Sequence, residues 1–356
     1  MDIGRIDQNL AVATTLEEKD LQFYSVRQEP FRLYGLYNPL TEPVFCRLPR
    51  SVAEAASEAV AILQTNTAGG RVRFATDSPY VAIKAVMPSV CRMPHMTLCG
   101  SSGFDLYENR GNGSVFSGVF KPPADMEDGY ETILYFNDGR MRDLTINFPL
   151  YNDVSELYVG IREGASLTAG GEYRYPKPVL YYGSSITQGA CASRPGNCYE
   201  AIISRRYDCD YLNFGFSGNA KGEPAMIEYL AGLDFSVFVL DYDHNAPTPE
   251  HLQNTHRQAY EIIRAAKPEV PIILVSKPDF DPDSEKDIER RGIIYSTYQT
   301  AVWNGDTHVS FLDGSSLFQG EGHDDCTVDK THPNDLGFYR MADRIGAEVK
   351  RLLDRS

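Results

Sequence analysis

Ser185, Asp329 and His332 are the residues of this chain best suited to nucleophilic chemistry. Ser185 sits in Gly183-Ser184-Ser185-Ile186-Thr187-Gln188-Gly189, directly after the apolar run Pro178–Tyr182. A serine at a strand-to-helix turn is exposed at the sheet edge, and the helix N-terminus favours negative charge developing beside it. A serine that merely caps the helix would read the same way. Asp329-Lys330-Thr331-His332-Pro333 places a carboxylate just ahead of an imidazole. Such a carboxylate can fix the ring tautomer, leaving the other nitrogen to take a proton from a serine. An aspartate at a helix start would give the same pattern.

Two more strand ends carry polar groups. Asn213-Phe214-Gly215-Phe216-Ser217-Gly218-Asn219 has glycines that let backbone N–H groups approach a ligand, or that simply make a tight turn. Leu240-Asp241-Tyr242-Asp243-His244-Asn245-Ala246-Pro247 is dense in polar groups, which are costly after a buried strand unless solvated or hydrogen-bonded. The Asn245 amide could complete an oxyanion hole, or it could form a turn before the proline.

These residues need a scaffold that brings strand ends together. From Pro178 onward, apolar runs (Pro178–Tyr182, Tyr211–Phe216, Val237–Asp241, Pro271–Val275, Val309–Leu312) alternate with helical stretches: Tyr199–Tyr207, Ala225–Ala231, Pro249–Ala266, Ser284–Trp303 and Leu336–Leu353. In the last, Phe338, Met341, Ile345, Val349 and Leu352 lie near helical spacing, and Asn334 or Asp335 can cap it. The alternation predicts an open, doubly wound parallel α/β sheet over 177–356, with its site at the C-terminal strand ends. Residues 31–170 read differently. Arg71–Phe74, Tyr80–Met87, Val115–Phe120, Tyr130–Phe136, Leu144–Phe148 and Glu156–Ile161 are short runs between turn residues, as in an all-β, jelly-roll-like sandwich. Ser51–Leu63 is a short helix or turn before the first strands, and residues 1–30 read as an extension that could dock on a neighbour.

The blocks GSSITQG, NFGFSG, DHN and DKTHP occur in one order, each at its own strand end or before the last helix. In this the chain resembles the SGNH (GDSL-like) serine hydrolases, whose sheet is flavodoxin-like. The resemblance implies Ser185 as nucleophile, His332 as general base and Asp329 as its orienting carboxylate. It also implies an oxyanion hole of the Ser185 and Gly218 N–H groups with the Asn245 side chain. Gly103-Phe104-Asp105-Leu106-Tyr107, with Asn147-Phe148-Pro149-Leu150-Tyr151, is similar to the GxDLY-type sandwich found ahead of one subgroup. Two positions depart from the superfamily pattern. Ser184 stands where an aspartate is usual, and Asp243 and His244 flank Asn245 unusually. Ser184, Arg194, Asp243 and His244 are further pocket candidates.

Composition narrows the partners. With 49 acidic against 34 basic residues the formal charge is −15, which argues against a nucleic-acid partner. No apolar run is long enough for a membrane helix and no signal peptide is visible, so a cytoplasmic location is the expectation, although a trimmed secreted chain would look alike. The seven cysteines are odd in number and lack C-x-x-C, so they read as thiols rather than a metal or disulfide framework. His251 and His256 read as surface residues and His323 as part of a solvated loop, while core packing is the default for Trp303. Serine chemistry of this kind needs no metal or organic cofactor. The resemblance implies hydrolysis of short acyl esters, above all O-acetyl groups on carbohydrates, with a small-molecule or oligosaccharide ester as the expected substrate. A general short-chain carboxylesterase or lysophospholipase-like acylhydrolase is the alternative among enzymes. A glycan-binding protein with a degenerate hydrolase domain is the alternative of another class. The resemblance further implies a homo-oligomer.

Overall fold

A computed structural model describes residues 16–111 and 113–355. Residues 1–15 of the expected N-terminal extension lie outside the described residues. The chain divides into two compact units.

Among the described residues the first unit takes 16–46, 65–172 and 194–196. Its strands are β1 (Leu21–Ser25), β2 (Arg32–Tyr34), β3 (Arg71–Thr76), β4 (Tyr80–Val86), β5 (Phe104–Arg110), β6 (Gly113–Phe120), β7 (Gly129–Tyr135), β8 (Arg142–Asn147), β9 (Glu156–Arg162) and β10 (Leu167–Ala169). They form two antiparallel sheets, β1-β9-β4-β7 and β10-β3-β8-β5-β6, with β2 sharing the β3 edge with β10. Alternate residues turn inward, as the pleat requires. Val81 and Ile83 of one sheet share a core with Val72, Phe74 and Leu106 of the other. The sandwich therefore begins earlier than the sequence suggested. Leu21–Ser25 pairs with Glu156–Arg162 along its full length, so this part of the expected extension is an edge strand.

The signature aspartate explains itself here. Asp105 is fully buried and accepts hydrogen bonds from Asn147 Nδ2 (2.7 Å), Gly196 N (2.8 Å) and Arg194 Nη1 (3.0 Å). A buried carboxylate with this many donors is a satisfied one. Gly196 can bear no side chain, since a Cβ would fall 2.6 Å from the Tyr107 ring.

The second unit takes residues 47–64, 173–193 and 197–355. Its sheet has β11 (Tyr175–Gly183), β12 (Cys209–Gly215), β13 (Val237–Asp241), β14 (Ile272–Val275) and β15 (Val309–Leu312) in the order β12-β11-β13-β14-β15, all parallel. This is the flavodoxin-like order, with a switch point beside the central β11. The first unit also carries the short helix α3 (Leu98–Ser101), and the second has α5 (Tyr199–Tyr207) and α6 (Pro224–Gly232). The long helices α7 (Pro249–Ala266), α8 (Glu285–Trp303) and α9 (Asp335–Leu353) match their expected spans within a residue. The helical pair α1 (Arg50–Ala56) and α2 (Glu58–Leu63) is a surprise. It lies within the first half of the chain, yet Leu48, Ala53 and Val60 belong to the same apolar core as Met226, Ile227 and Leu230. Among the described residues no helix is long and apolar enough to cross a membrane.

Candidate active site

Strand register gathers the chemical residues. Gly183 at the end of β11 pairs with Gly215 of β12 on one side and Asp241 of β13 on the other. Ser185, Gly218 and Asn245 thus leave neighbouring strand ends at one edge of the sheet. Glycine is needed at two of these ends. A Cβ on Gly183 would lie 2.1 Å from Thr187 Oγ1, and one on Gly215 would lie 2.1 Å from Gln188 N. The short helix α4 (Ser185–Gln188) can pack onto the strand ends only because both side chains are missing.

The two successive serines divide the available roles. Ser184 is the N-cap, its Oγ accepting from Ile186 N at 3.1 Å. The Ser185 hydroxyl instead meets His332 Nε2 at 2.9 Å, and His332 Nδ1 lies 2.8 Å from Asp329 Oδ2. Asp329 Oδ1 also accepts the backbone N–H groups of Thr331 (3.1 Å) and His332 (2.8 Å). Burial acts to raise the Asp329 pKa. The His332 backbone and ring donors outweigh it and hold the carboxyl below its usual value. The loop is closed by Val328 N donating to His332 O, and Asn334 caps α9 through Leu336 N and Gly337 N.

Gly218 stands exposed in the left-handed region, with φ +69°. Asn245 Nδ2 donates one N–H to Phe216 O at 2.8 Å. Gly218 and Asn245 line one polar cleft of about 260 Å³ together with His244, Lys277 and Lys286. Of the additional pocket candidates, His244 lines this cleft and three are engaged elsewhere. Ser184 caps its helix. Asp243, 1% exposed, is paired with Arg290. Arg194 groups with the sandwich unit, where its guanidinium meets Asp105 and Tyr107 and lies 3.9 Å from the Phe116 ring centroid. His244 Nε2 is 2.9 Å from Asp279 Oδ1, an ion-pair distance without hydrogen-bond alignment. Burial opposes protonation of His244, but Asp279 outweighs it and raises the ring pKa.

Several supporting residues gave no signal in the sequence. Asp335 accepts from Ser193 N and Oγ and from Asn197 Nδ2, tying the segment after α4 to the start of α9. Arg47 donates to the carbonyls of Asn213 (3.1 Å), Gly215 (2.6 Å) and Leu63 (2.8 Å). His256 proves buried rather than exposed. Its ring stacks on Tyr242 and Nδ1 meets Thr297 Oγ1, and burial lowers its pKa to about 3. Trp303, assigned to a core by default, is 91% exposed.

The C-terminal part of the chain, residues 176–350, matches the GDSL-like lipase/acylhydrolase family, and residues 21–167 match the GxDLY family, described as the N-terminus of SGNH-hydrolase-type esterases. The chain is a GDSL-like SGNH hydrolase with an N-terminal GxDLY domain. As such it is an esterase or acylhydrolase. A solved structure described as a GDSL-like lipase from Bacteroides ovatus is 28% identical to the hydrolase, with TM-score 0.84 over 94% of this chain and 98% of that one. A salicylyl-acyltransferase from a tetracycline biosynthetic pathway shares the fold at 18% identity and TM-score 0.74, over the same 94% and 98%. A family two carbohydrate esterase from Cellvibrio japonicus shares it at 11% and 0.61, again over 94% and 98%. No curated protein matches the chain.

The hydrolase also buries an acid beneath its site. Asp241 accepts from Thr187 Oγ1 and Tyr199 OH, each at 3.4 Å. Burial is the largest cause of a rise in its pKa from 3.8 to about 7, which Asp243 reinforces and His244 opposes. The folded value exceeds the unfolded one, so this contribution to stability is complete below pH 3.8 and is lost as pH rises through about 7. Asp241→Asn is expected to match the wild type near pH 4 and to exceed it at pH 8, by an order of about 4 kcal/mol at most. Urea unfolding at the two pH values checks this, and equal stability of both proteins at pH 8 would refute it.

Proposed function

We propose that Ser185 is the nucleophile of a carbohydrate O-acetylesterase, with His332 as general base and Asp329 orienting it. The observation that carries the reading is the Ser185–His332–Asp329 relay, with contacts of 2.9 and 2.8 Å. Asp329 accepts from Nδ1–H, so Nε2 presents its lone pair to the serine hydroxyl. Ser185 Oγ attacks the ester carbonyl as His332 takes its proton. The tetrahedral oxyanion is held by the N–H groups of Ser185 and Gly218 and by the second Asn245 amide N–H. Each donor lowers the barrier by about 3 kcal/mol. His332 then protonates the departing sugar hydroxyl oxygen. Water, deprotonated by the same ring, attacks the acyl-enzyme and releases acetate.

Two observations favour a small acyl group on a polar alcohol. The cleft beside Gly218 and Asn245 is lined mainly by the charged and polar side chains of His244, Lys277, Lys286, Asp287 and Arg290, with Ala246 and Pro247 as its small apolar part. An apolar cavity of about 720 Å³, lined by Tyr175, Phe235, Val270 and Leu353 among others, lies at the N-terminal strand ends, the opposite edge of the sheet from Ser185. An acyl chain bound there would lie at the far edge of the sheet from Ser185. Similarly folded proteins include an acetyl xylan esterase from Butyrivibrio proteoclasticus and a family two carbohydrate esterase from Clostridium thermocellum in complex with cellohexaose. The test compares acetyl with octanoyl 4-nitrophenyl esters, then acetylated xylo- and manno-oligosaccharides. kcat/KM is expected to be at least about tenfold higher for acetyl, as loss of a fitting pocket for the longer chain implies. A preference for octanoyl overturns the substrate assignment.

A further inference from the structure

The residue after a buried apolar strand that most needs an explanation is Asp243. It is 1% exposed and sits in the turn Asp243–Asn245 that carries the Asn245 amide. Its partner is Arg290, 4% exposed on α8. Arg290 Nε donates to Asp243 Oδ1 at 2.7 Å and Nη1 to Ala246 O at 3.1 Å, while Nη2 reaches Asp243 O. The second carboxylate oxygen of Asp243 accepts Lys277 N at 3.1 Å. One guanidinium thus grips the turn two residues before and one residue after Asn245. The side chain of Asn245 is fixed separately by its bond to Phe216 O.

We propose that Arg290 is a positioning residue for ester hydrolysis, holding the turn so that the second N–H of Asn245 points at the developing oxyanion. This rests on the reading of Asn245 as an oxyanion donor. The chemistry of the pair fits positioning better than stabilisation. A buried ion pair returns little net stability compared with apolar residues of the same volume. A planar guanidinium with donors in a fixed fork is the group that can bind a carboxylate and two backbone carbonyls at once. Lysine keeps the charge and three donors, but these sit on a single nitrogen that cannot span all three acceptors. An oxyanion donor works only when it is fixed before charge develops.

The experiment is a kinetic cycle on 4-nitrophenyl acetate with the full chain as wild type, Asn245→Ala, Arg290→Lys and the double variant. Asn245→Ala is expected to lower kcat about a hundredfold or more, with KM little changed. Arg290→Lys is expected to lower kcat about tenfold to a hundredfold, with KM within about twofold, because a misplaced donor loses transition-state contacts only. In the double variant Arg290→Lys is expected to cost less than about twofold beyond Asn245→Ala, since the two act through one group. Thermal unfolding and circular dichroism check each fold. If Arg290→Lys does not fold, Asp243→Asn with Arg290→Gln, which removes both charges, replaces it in the same cycle with the same expectation. Unchanged kcat in Asn245→Ala overturns both the oxyanion reading and the role of Arg290. A low kcat in Asn245→Ala with a full additional loss from Arg290→Lys, or none in the single variant, overturns the role of Arg290 alone.

Discussion

Ser185→Ala is expected to lower kcat for 4-nitrophenyl acetate by about 10⁵-fold or more, leaving a folded protein with its binding cleft intact. The size of the loss follows from the role of the atom removed. With no Oγ there is no acyl-enzyme, and hydrolysis falls back on direct attack by water. Whatever catalysis survives comes from the oxyanion donors and from binding. The fold is expected to persist because Ser184, not Ser185, caps α4. Mass spectrometry after treatment with a phosphonate ester gives a second measure, with one adduct on the wild type and none on the variant. Undiminished hydrolysis by Ser185→Ala would remove the nucleophile from this position.

Asp329→Asn is expected to lower kcat by about 10⁴-fold with KM little changed. The carboxylate uses its oxygens differently: Oδ1 accepts the Thr331 and His332 backbone N–H groups, and Oδ2 accepts the ring. Asparagine can keep one oxygen on the backbone donors, which preserves the loop. Its amide nitrogen must then face His332 Nδ1. The ring responds by carrying its proton on Nε2, the atom that has to accept from Ser185, and the base is lost without any change in shape. Steady-state kinetics and a thermal melt together check the claim. A variant that retains wild-type kcat would show that Asp329 serves the loop only.

The parallel sheet was legible because buried strands are continuous apolar runs, and Val237–Asp241 and Val309–Leu312 have the bounds read from sequence. The relay was legible because both partners of His332 belong to compact motifs. What escaped depended on contacts remote in sequence. Asp287, Arg290, Ile294, Thr297 and Ala301 are the buried positions of α8, so Arg290 occupies the inward-facing stripe of the helix. Nothing in its neighbours names the distant Asp243 that makes this tolerable. His256 was misplaced for a related reason. It lies on the inward stripe with Leu252, Ala259, Tyr260 and Ile263, and a neutral imidazole bonded to Thr297 fits there. Trp303 ends its helix beyond the last buried position, Ala301, and so projects outward. Leu21–Ser25 was lost among the unassigned N-terminal residues because its interior partners come from Glu156–Arg162.

The helical pair α1 and α2 bears on how this protein can be made. Its core residues Ala53 and Val60, with Leu48 just ahead of it, leave the ribosome more than a hundred residues before the strands of the sheet core they join. During vectorial synthesis they stay unburied while the sandwich strands around them in sequence are laid down. Contacts of such long sequence separation slow folding and prolong the exposure of apolar surface. The same threading defeats dissection. A fragment started at Tyr173 lacks the hairpin that completes its core, and one stopped there carries that hairpin with no sheet to cover it. Gene fusions and truncations that treat the chain as two beads on a string cut through a single folding unit.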